Sequence, residues 1–385
     1  MTNLTTPEVT HALEESLARG EIGLQVAAYL DGELIVDTAA GLDGPSGEPV
    51  TTTTLFNPFS VTKAVTATAL HVQAARGLID YTAPVTRYWP EFGANGKEAT
   101  TVRDVLSHRA GIPWMPEGIA PGLQADWGWM IRRIEEMAPE FPPGTANCYH
   151  ALVWGWIVGE LVRRTDVKGR DVAAFVREEV LEPLGIRDLY FGLPESEFGR
   201  VATRVGGDAP AEAPELLLKG MPRAVYPSAR VYNEPLARTT VNPGAGSIGT
   251  ARSYARLFAM LACHGELDGA RLLPAELVRS FTTPRDDDHE NDRYLGKVNH
   301  VSAYGYWLAG TGPTAYPLLG EGPHVLHHPG AGGSIGWAEL DTGLAVAICH
   351  NRMHSGPPPA PADHPFAPIV TAVRRLAAER KGASS

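Results

Sequence analysis

Strand-like segments lie near both ends of this chain, and helical patterns fill its middle, which limits the possible folds more than any other feature. Two β-rich runs, 24–30 and 33–39, flank Asp31-Gly32, a pair that favours a tight hairpin. Residues 80–226 show helical spacing broken by Pro and Gly. Strand patterns return at 305–309, 334–340 and 344–350, before a helical pattern at 365–381. We predict an α+β fold with a sheet domain from residues 1–80 and 230–385 and an inserted helical domain, 81–229.

Composition and charge restrict the partners. The 385 residues are 44% hydrophobic and 20% charged, which is ordinary for a globular protein, and the formal net charge is −11. An acidic surface repels nucleic acid and anionic membranes, so we expect neither as a partner and a small or neutral substrate instead. Residues 1–5 lack a basic region followed by an apolar one, and no uninterrupted apolar run of about 18 residues occurs, so we expect a cytoplasmic protein. The oligomeric state stays open.

The cysteines give no sign of a cofactor or a disulfide framework. Cys148, Cys263 and Cys349 are odd in number and widely separated, and none forms a C-x-x-C metal clip. We interpret Cys148 as a small buried hydrophobic residue. No cofactor and no metal are predicted.

One S-x-x-K motif, Ser60-Val61-Thr62-Lys63, opens an apolar run that predicts a buried helix ending at Gly77. Residues three apart share one face of a helix, so the Ser60 hydroxyl and the Lys63 amine become neighbours. A desolvated lysine can then take the proton of the serine, which makes the hydroxyl a nucleophile. Such a pair also arises by chance, so its context has to support it.

Two further elements carry candidate site residues. Residues 144–150 end in Tyr149-His150 and precede a helical pattern that is apolar nearly all round, so Tyr149 can project into a cleft from the start of a core helix. Residues 327–333, His-His-Pro-Gly-Ala-Gly-Gly, precede a strand pattern, and their glycines allow backbone N–H groups to approach a ligand.

These three elements, in this order, resemble the serine β-lactamase and penicillin-binding-protein superfamily, and most closely class C β-lactamases and family VIII carboxylesterases. Residues 106–111, similar to an L-x-H-x-x-G element, and 244–250 extend the resemblance over about residues 10–375. The resemblance implies a β-lactamase-like fold, with an antiparallel sheet flanked by helices and an inserted, mostly helical domain.

The resemblance also implies roles. Ser60 would be the nucleophile, Lys63 its base and Tyr149 a proton shuttle, with the backbone N–H groups of Ser60 and Ala331 as oxyanion hole. His328, Gly330 and His150 would face the substrate.

Two departures from the superfamily pattern favour esters. Tyr149-His150-Ala151 lacks the asparagine of Y-x-N, and His328 replaces the lysine of K-T-G. We therefore predict a serine carboxylesterase that acts through an acyl-enzyme on a small-molecule ester or amide. β-Lactam or D-amino peptide hydrolysis, acyl transfer, and an inactive ligand-binding relative remain open alternatives.

Other residues allow competing interpretations. Trp114, Trp127 and Trp129 lie in a Pro/Gly-rich connection and could wall the substrate pocket. Residues 332–336 match the G-x-S-x-G nucleophile elbow, but a strand pattern follows where an elbow needs a helix, so we place Ser334 on a turn beside the third element. A further set of histidines could mark a metal hydrolase, but we expect surface or loop positions for them: His324, His327, His328, His350 and His354.

Overall fold

The computed structural model describes residues 4–354 and 360–383. Its α-helices are α1 Pro7–Ala18, α2 Thr62–Ala75, α3 Val102–Leu106, α4 Pro121–Ala125, α5 Trp127–Glu136, α6 Trp154–Thr165, α7 Val172–Val176, α8 Glu215–Gly220, α9 Ala229–Tyr232, α10 Pro235–Thr239, α11 Ala251–Ala262, α12 Ala275–Ser280 and α13 Ala367–Ala383. Its strands are β1 Gly23–Leu30, β2 Glu33–Gly41, β3 Leu189–Tyr190, β4 Val205–Gly206, β5 Ile248–Gly249, β6 Glu266–Leu267, β7 Ala270–Arg271, β8 Asn291–Asp292, β9 Lys297–Val298, β10 Trp307–Gly310, β11 Gly322–Pro329, β12 Ile335–Glu339, β13 Leu344–His350 and β14 Arg352–Met353.

One six-stranded sheet organises the molecule. Its order is β10-β11-β12-β13-β1-β2, and every neighbouring pair is antiparallel. The first strand of the chain therefore lies beside a late one, with Leu24 opposite His350. At the β1–β2 hairpin, Asp31 and Gly32 both have positive φ, 49° and 86°, the conformation that a two-residue type I′ turn requires.

Helices cover both faces of this sheet, which explains why β13 and most of β1 read as apolar runs. Leu24, Val26 and Ala28 face α1 and α13, whose Val9, Leu13 and Val373 belong to the same hydrophobic cluster. Alternate residues, Ala27 and Tyr29, face the opposite side in a larger cluster with α11 and α2. The sheet thus holds α2, the helix that begins at the S-x-x-K motif, in the centre of the molecule.

The predicted α+β class with an antiparallel sheet flanked by helices is confirmed. The hairpin and the strand 344–350 occur as predicted, and α2 ends two residues before Gly77. The helix predicted from residue 151 begins later, at Trp154, and β11 was missed as a full strand because its polar start, Gly-Pro-His, hides the pattern.

The domain boundaries at residues 80 and 230 stay a prediction, since one hydrophobic cluster contains residues from both proposed domains. The sequence also predicts a surface loop at 356–365, whose first residues lie outside the described ranges. None of the described helices combines the length and apolar character needed to cross a bilayer.

Candidate active site

Ser60 lies in a short 3₁₀ turn, Phe59–Val61, that leads directly into α2. The preceding Phe59 is buried and has φ of +48°, a conformation that costs a non-glycine residue energy and is found where surrounding structure enforces it. The centroid of its ring lies 4.7 Å from the centroid of the Tyr232 ring and 4.3 Å from Cζ of the Arg204 guanidinium. These contacts fix the backbone that presents the Ser60 hydroxyl.

Lys63, one turn further along, is completely buried beside that hydroxyl. Its Nζ lies 3.1 Å from Ser60 Oγ and donates to the carbonyl oxygens of Ala151 and Gly244 at 2.7 and 2.9 Å. Burial lowers the pKa of Lys63 well below its usual range. A neutral amine has two N–H groups, which the two carbonyls accept, so its lone pair is left facing Ser60.

Tyr149 approaches the same hydroxyl from the other side. Its phenol O–H donates to Ser60 Oγ at 3.1 Å, and its ring lies 5.2 Å from Lys63 Nζ. Burial raises the pKa of Tyr149, so the phenol keeps its proton and acts as a donor. The arrangement provides a hydroxyl, an amine that can accept its proton, and a phenol that can deliver one.

The third element closes the site at the turn between β11 and β12. Burial lowers the pKa of His328 well below its usual range, so its imidazole is neutral. His328 Nδ1–H donates to the Pro329 carbonyl at 2.8 Å, which leaves a buried Nε2 without a hydrogen-bond partner among the described residues, and the ring lies 6.4 Å from that of Tyr149. An acceptor that lacks a partner inside a reactive site is available to a substrate donor.

Gly330 brings this turn against the nucleophile. A Cβ at Gly330 would lie 2.0 Å from the Pro58 carbonyl oxygen, two residues before Ser60, so only glycine permits the approach. Its N–H donates to the Ser334 carbonyl at 2.6 Å, which ties the turn together. Ala331, the predicted oxyanion-hole residue, follows within the same turn.

Sequence reasoning missed the groups that hold Tyr149. Asp292 Oδ1 accepts backbone N–H bonds from Tyr149, Tyr294 and Leu295 at 3.0 to 3.1 Å. Its other oxygen faces the buried Arg285 guanidinium at 3.5 Å. Residues 285–293, Arg-Asp-Asp-Asp-His-Glu-Asn-Asp-Arg, read as a solvated acidic run, so no signal in the sequence distinguished Asp292.

Two histidines form a second layer behind Tyr149. The His150 N–H donates to His108 Nδ1 at 3.2 Å, and His150 Nδ1–H donates to the Cys148 carbonyl at 2.6 Å. Burial lowers the pKa of His150 to about 4 and that of His108 well below its usual range. Substrate contact by His150 stays a prediction.

The three predicted pocket tryptophans have different surroundings. Trp127 donates its indole N–H to Glu160 at 2.9 Å, between α5 and α6, and Trp129 stacks with Arg133 at 5.5 Å. Trp114 is nearer the site: its ring lies 6.2 Å from that of Tyr294, which is 6.2 Å from that of Tyr149. Their contact with substrate stays a prediction, and Trp114 is the best placed.

Two competing interpretations change with the structure. The expectation of surface or loop histidines is wrong for His327, His328 and His350, which are buried on β11 and β13 because both faces of these strands are covered. Ser334 lies on the turn before β12, as predicted, and its Oγ accepts the His350 N–H at 3.2 Å. A strand, β12, follows it directly where an elbow needs a helix, so the nucleophile-elbow alternative does not apply.

A cavity of about 330 Å³ adjoins the turn. Ala331 and Gly332 line one side, and the remaining lining is mostly apolar, including Leu217, Met221, Tyr226, Pro227 and Met353. Met221 also packs against the cluster that contains Tyr149. Met221 therefore connects the lining of the cavity with the cluster that contains Tyr149.

Comparisons with known proteins show the family to which this chain belongs. A family model described as Beta-lactamase matches residues 9–365. The chain therefore belongs to the β-lactamase family, and it is a serine hydrolase of that superfamily.

Particular relatives indicate which branch it resembles. The esterase/beta-lactamase LipL of Mycobacterium tuberculosis is 34% identical over 377 residues, covering 93% of this chain and 83% of LipL. A solved family VIII carboxylesterase is 32% identical with a TM-score of 0.85, covering 97% of this chain and 99% of that one. A penicillin-binding-protein homologue from Caulobacter crescentus is 29% identical, with a TM-score of 0.84 and the same coverage. The predicted β-lactamase-like fold and family resemblance are confirmed.

Proposed function

We propose that this protein hydrolyses carboxylic esters of small molecules through an acyl-enzyme on Ser60. The observation that carries the proposal is the position of Ser60 Oγ, 3.1 Å from both Lys63 Nζ and the Tyr149 hydroxyl. These distances are within hydrogen-bond reach, as general acid–base catalysis requires.

In the first step, Ser60 Oγ attacks the ester carbonyl carbon while Lys63 takes the hydroxyl proton. The backbone N–H groups of Ser60 and Ala331 bind the oxyanion, and each such donor lowers the barrier by roughly 2.7 to 4 kcal/mol. The tetrahedral intermediate breaks its bond to the alcohol oxygen, which takes the Tyr149 proton, and Lys63 returns its proton to the phenol. In the second step, water attacks the carbonyl carbon of the acyl-enzyme, and the proton transfers run in reverse. The bond to Ser60 Oγ then breaks, which releases the acid and restores the serine hydroxyl.

The third element supports an ester rather than a β-lactam. In the lactamases a lysine at this place helps to hold the substrate carboxylate, whereas His328 presents a neutral imidazole here because burial lowers its pKa. The mostly apolar cavity beside Ala331 suits the hydrocarbon part of an ester. The relatives include proteins named as esterases, among them LipL and the family VIII carboxylesterase.

β-Lactam hydrolysis is the second candidate, because the name of LipL joins both activities and a penicillin-binding-protein homologue shares the fold. It uses the same acyl-enzyme on Ser60, so the two candidates differ in substrate and not in machinery.

The test is a panel of p-nitrophenyl esters of rising acyl length, nitrocefin and a D-alanyl amide, assayed with the wild type, Ser60→Ala and Ser334→Ala. We expect ester turnover that Ser60→Ala abolishes and Ser334→Ala retains, and a fluorophosphonate adduct on Ser60. Faster turnover of nitrocefin than of any ester would replace the esterase by a β-lactamase. Full activity in Ser60→Ala would contradict both candidates.

A further inference from the structure

A second group of chemically active side chains lies behind the active-site turn. Glu21 is in the connection between α1 and β1, His350 ends β13, and His354 follows β14. We call these three residues the Glu21 cluster. The Glu21 side chain is 0% exposed, that of His350 is 2% exposed and that of His354 is 35% exposed.

The three side chains converge on one point. Glu21 Oε2 lies 2.7 Å from His350 Nδ1, and Glu21 Oε1 lies 2.6 Å from His354 Nε2. One potential ligand atom from each residue lies within 4.8 Å of the other two. Two imidazoles and one carboxylate are a donor set that binds Zn²⁺ and other divalent transition metals.

The backbone holds these donors in place before any ion binds. His350 is paired with Leu24 at the β13–β1 edge, close to Glu21 in the chain, and the His350 and His354 rings stack at 5.7 Å. The His354 N–H donates to the Gly332 carbonyl at 3.0 Å. Because strands and main-chain hydrogen bonds already hold these residues in place, their side chains lose little conformational entropy when a metal ion binds.

The charge of the cluster also favours a cation. The Glu21 carboxylate is completely buried, and its hydrogen-bond partners are the two imidazoles. A buried carboxylate is costly unless it is paired. A divalent ion would give it a full countercharge while each imidazole ligates through one nitrogen.

We propose that the Glu21 cluster binds one divalent transition-metal ion, with Zn²⁺ as the best fit, through the carboxylate, His350 Nδ1 and His354 Nε2. The two carboxylate oxygens of Glu21 lie 2.7 and 2.6 Å from the imidazole nitrogens. These oxygen–nitrogen distances need to increase only to roughly 3.3 Å, the spacing that tetrahedral Zn–N and Zn–O bonds imply. His354 also lines the cavity beside Ala331, which gives the ion a route in and leaves a coordination position for water.

The ion would act on the active site through the main chain. The Gly332 carbonyl accepts from the His354 N–H, and Ser334 Oγ accepts from the His350 N–H. Both acceptors belong to the turn that carries Ala331. Metal binding therefore stiffens the turn that supplies the oxyanion hole, without contact between the ion and the reacting atoms.

The experiment measures metal binding by the full chain after treatment with a chelator. Zn²⁺ is titrated calorimetrically and Co²⁺ is followed by its visible spectrum in the wild type, His354→Ala and Glu21→Gln. The control is His324→Ala, which removes an exposed histidine that also bonds a carboxylate, Asp341. Because His354 is partly exposed, its variant tests the site even if Glu21→Gln fails to fold.

We expect one ion per chain in the wild type and in His324→Ala, and affinity at least about 100-fold weaker in His354→Ala. Zn²⁺ should also raise the melting temperature of the wild type but not that of His354→Ala. No saturable binding by the wild type, or equal binding by His354→Ala, would overturn the proposal. Ester turnover by Ser60 is measured separately, so failure here leaves the proposed function untouched.

Discussion

Within the part of the chain that the structure describes, the hydrogen-bond partners of the Lys63 amine are neutral groups. Its partners are two backbone carbonyls and the Ser60 hydroxyl, and its side chain is fully buried. A charged ammonium in such a position costs several kcal/mol of desolvation with no countercharge to offset it. The neutral form is therefore favoured, which is the form that can accept a proton from serine.

Removing either proposed proton-transfer group, Lys63 or Tyr149, should slow catalysis without preventing folding. We expect Lys63→Met and Tyr149→Phe each to lower kcat/KM for p-nitrophenyl acetate by about 10² to 10⁴-fold. Because burial lowers the pKa of Lys63, any rise of wild-type kcat/KM with pH that reflects Lys63 should occur well below the usual pKa of a lysine, and it should be absent from Lys63→Met. The measurement is kcat/KM from pH 5 to 9.

The matched control is Lys97→Met. Lys97 is another buried lysine that donates to carbonyl oxygens, those of Ala94, Glu135 and Met137, and burial lowers its pKa to about 8. Its removal should reduce stability while kcat/KM stays near the wild-type value. An equal loss of kcat/KM in both lysine variants would show that the Lys63 effect is structural.

Among the elements, the β11–β12 turn and the turn before α2 depend on each other. Gly330 lies against Pro58, and both turns carry a proposed oxyanion-hole residue, Ala331 and Ser60. The distance between these two N–H groups is therefore set by how closely the backbones approach.

Gly330→Ala should separate the two turns. A Cβ placed 2.0 Å from the Pro58 oxygen forces the backbone to move, at a cost of about 1 to 3 kcal/mol, and we expect a drop of at least about tenfold in kcat. Urea unfolding and kcat are measured together. Gly199→Ala, where a Cβ meets nothing within 4 Å, is the control. A Gly330→Ala protein with unchanged kcat would argue against Ala331 as an oxyanion donor.

At the scale of the whole molecule, buried neutral histidines link stability to pH. Burial lowers the pKa of five of them: His71, His108, His150, His327 and His328. Each of these histidines binds a proton near its ordinary pKa in the unfolded chain, but only at lower pH in the folded protein. The unfolded state therefore binds more protons below about pH 6.5, and stability is lost as pH falls.

His71 is the best position at which to measure this effect on stability, because its hydrogen-bond partners are not candidate active-site residues. Its pKa falls to about 3, and its two nitrogens bond the Tyr81 hydroxyl and the Tyr304 carbonyl. Between pH 6 and 4, His71→Gln should reduce the slope of the unfolding free energy by about 1.4 kcal/mol per pH unit. The same slope is measured for His11→Gln, which replaces an exposed histidine on α1. Equal slopes in the wild type and His71→Gln would contradict this explanation.

Local spacing explains which parts of the fold and site were predictable. Ser60 and Lys63 are three residues apart on a helix, so their proximity follows from helical geometry, and Asp31-Gly32 specifies its hairpin through its own backbone preference. Asp292 could not be found in this way, because its partner Tyr149 is 143 residues distant and its neighbours look like a solvated loop. Glu21 and His350 are 329 residues apart.

The order of the three candidate-site elements, the helix that carries the proposed nucleophile and the hairpin of the sheet could be predicted from the sequence, because they depend on residues near one another in the chain. The chemical state of the site depends on how the elements pack together. Burial in the surrounding core lowers the pKa of Lys63 well below its usual range, and burial lowers the pKa of His328 in the same way. Desolvation depends on every element that packs around a group, and no short segment of sequence contains that information.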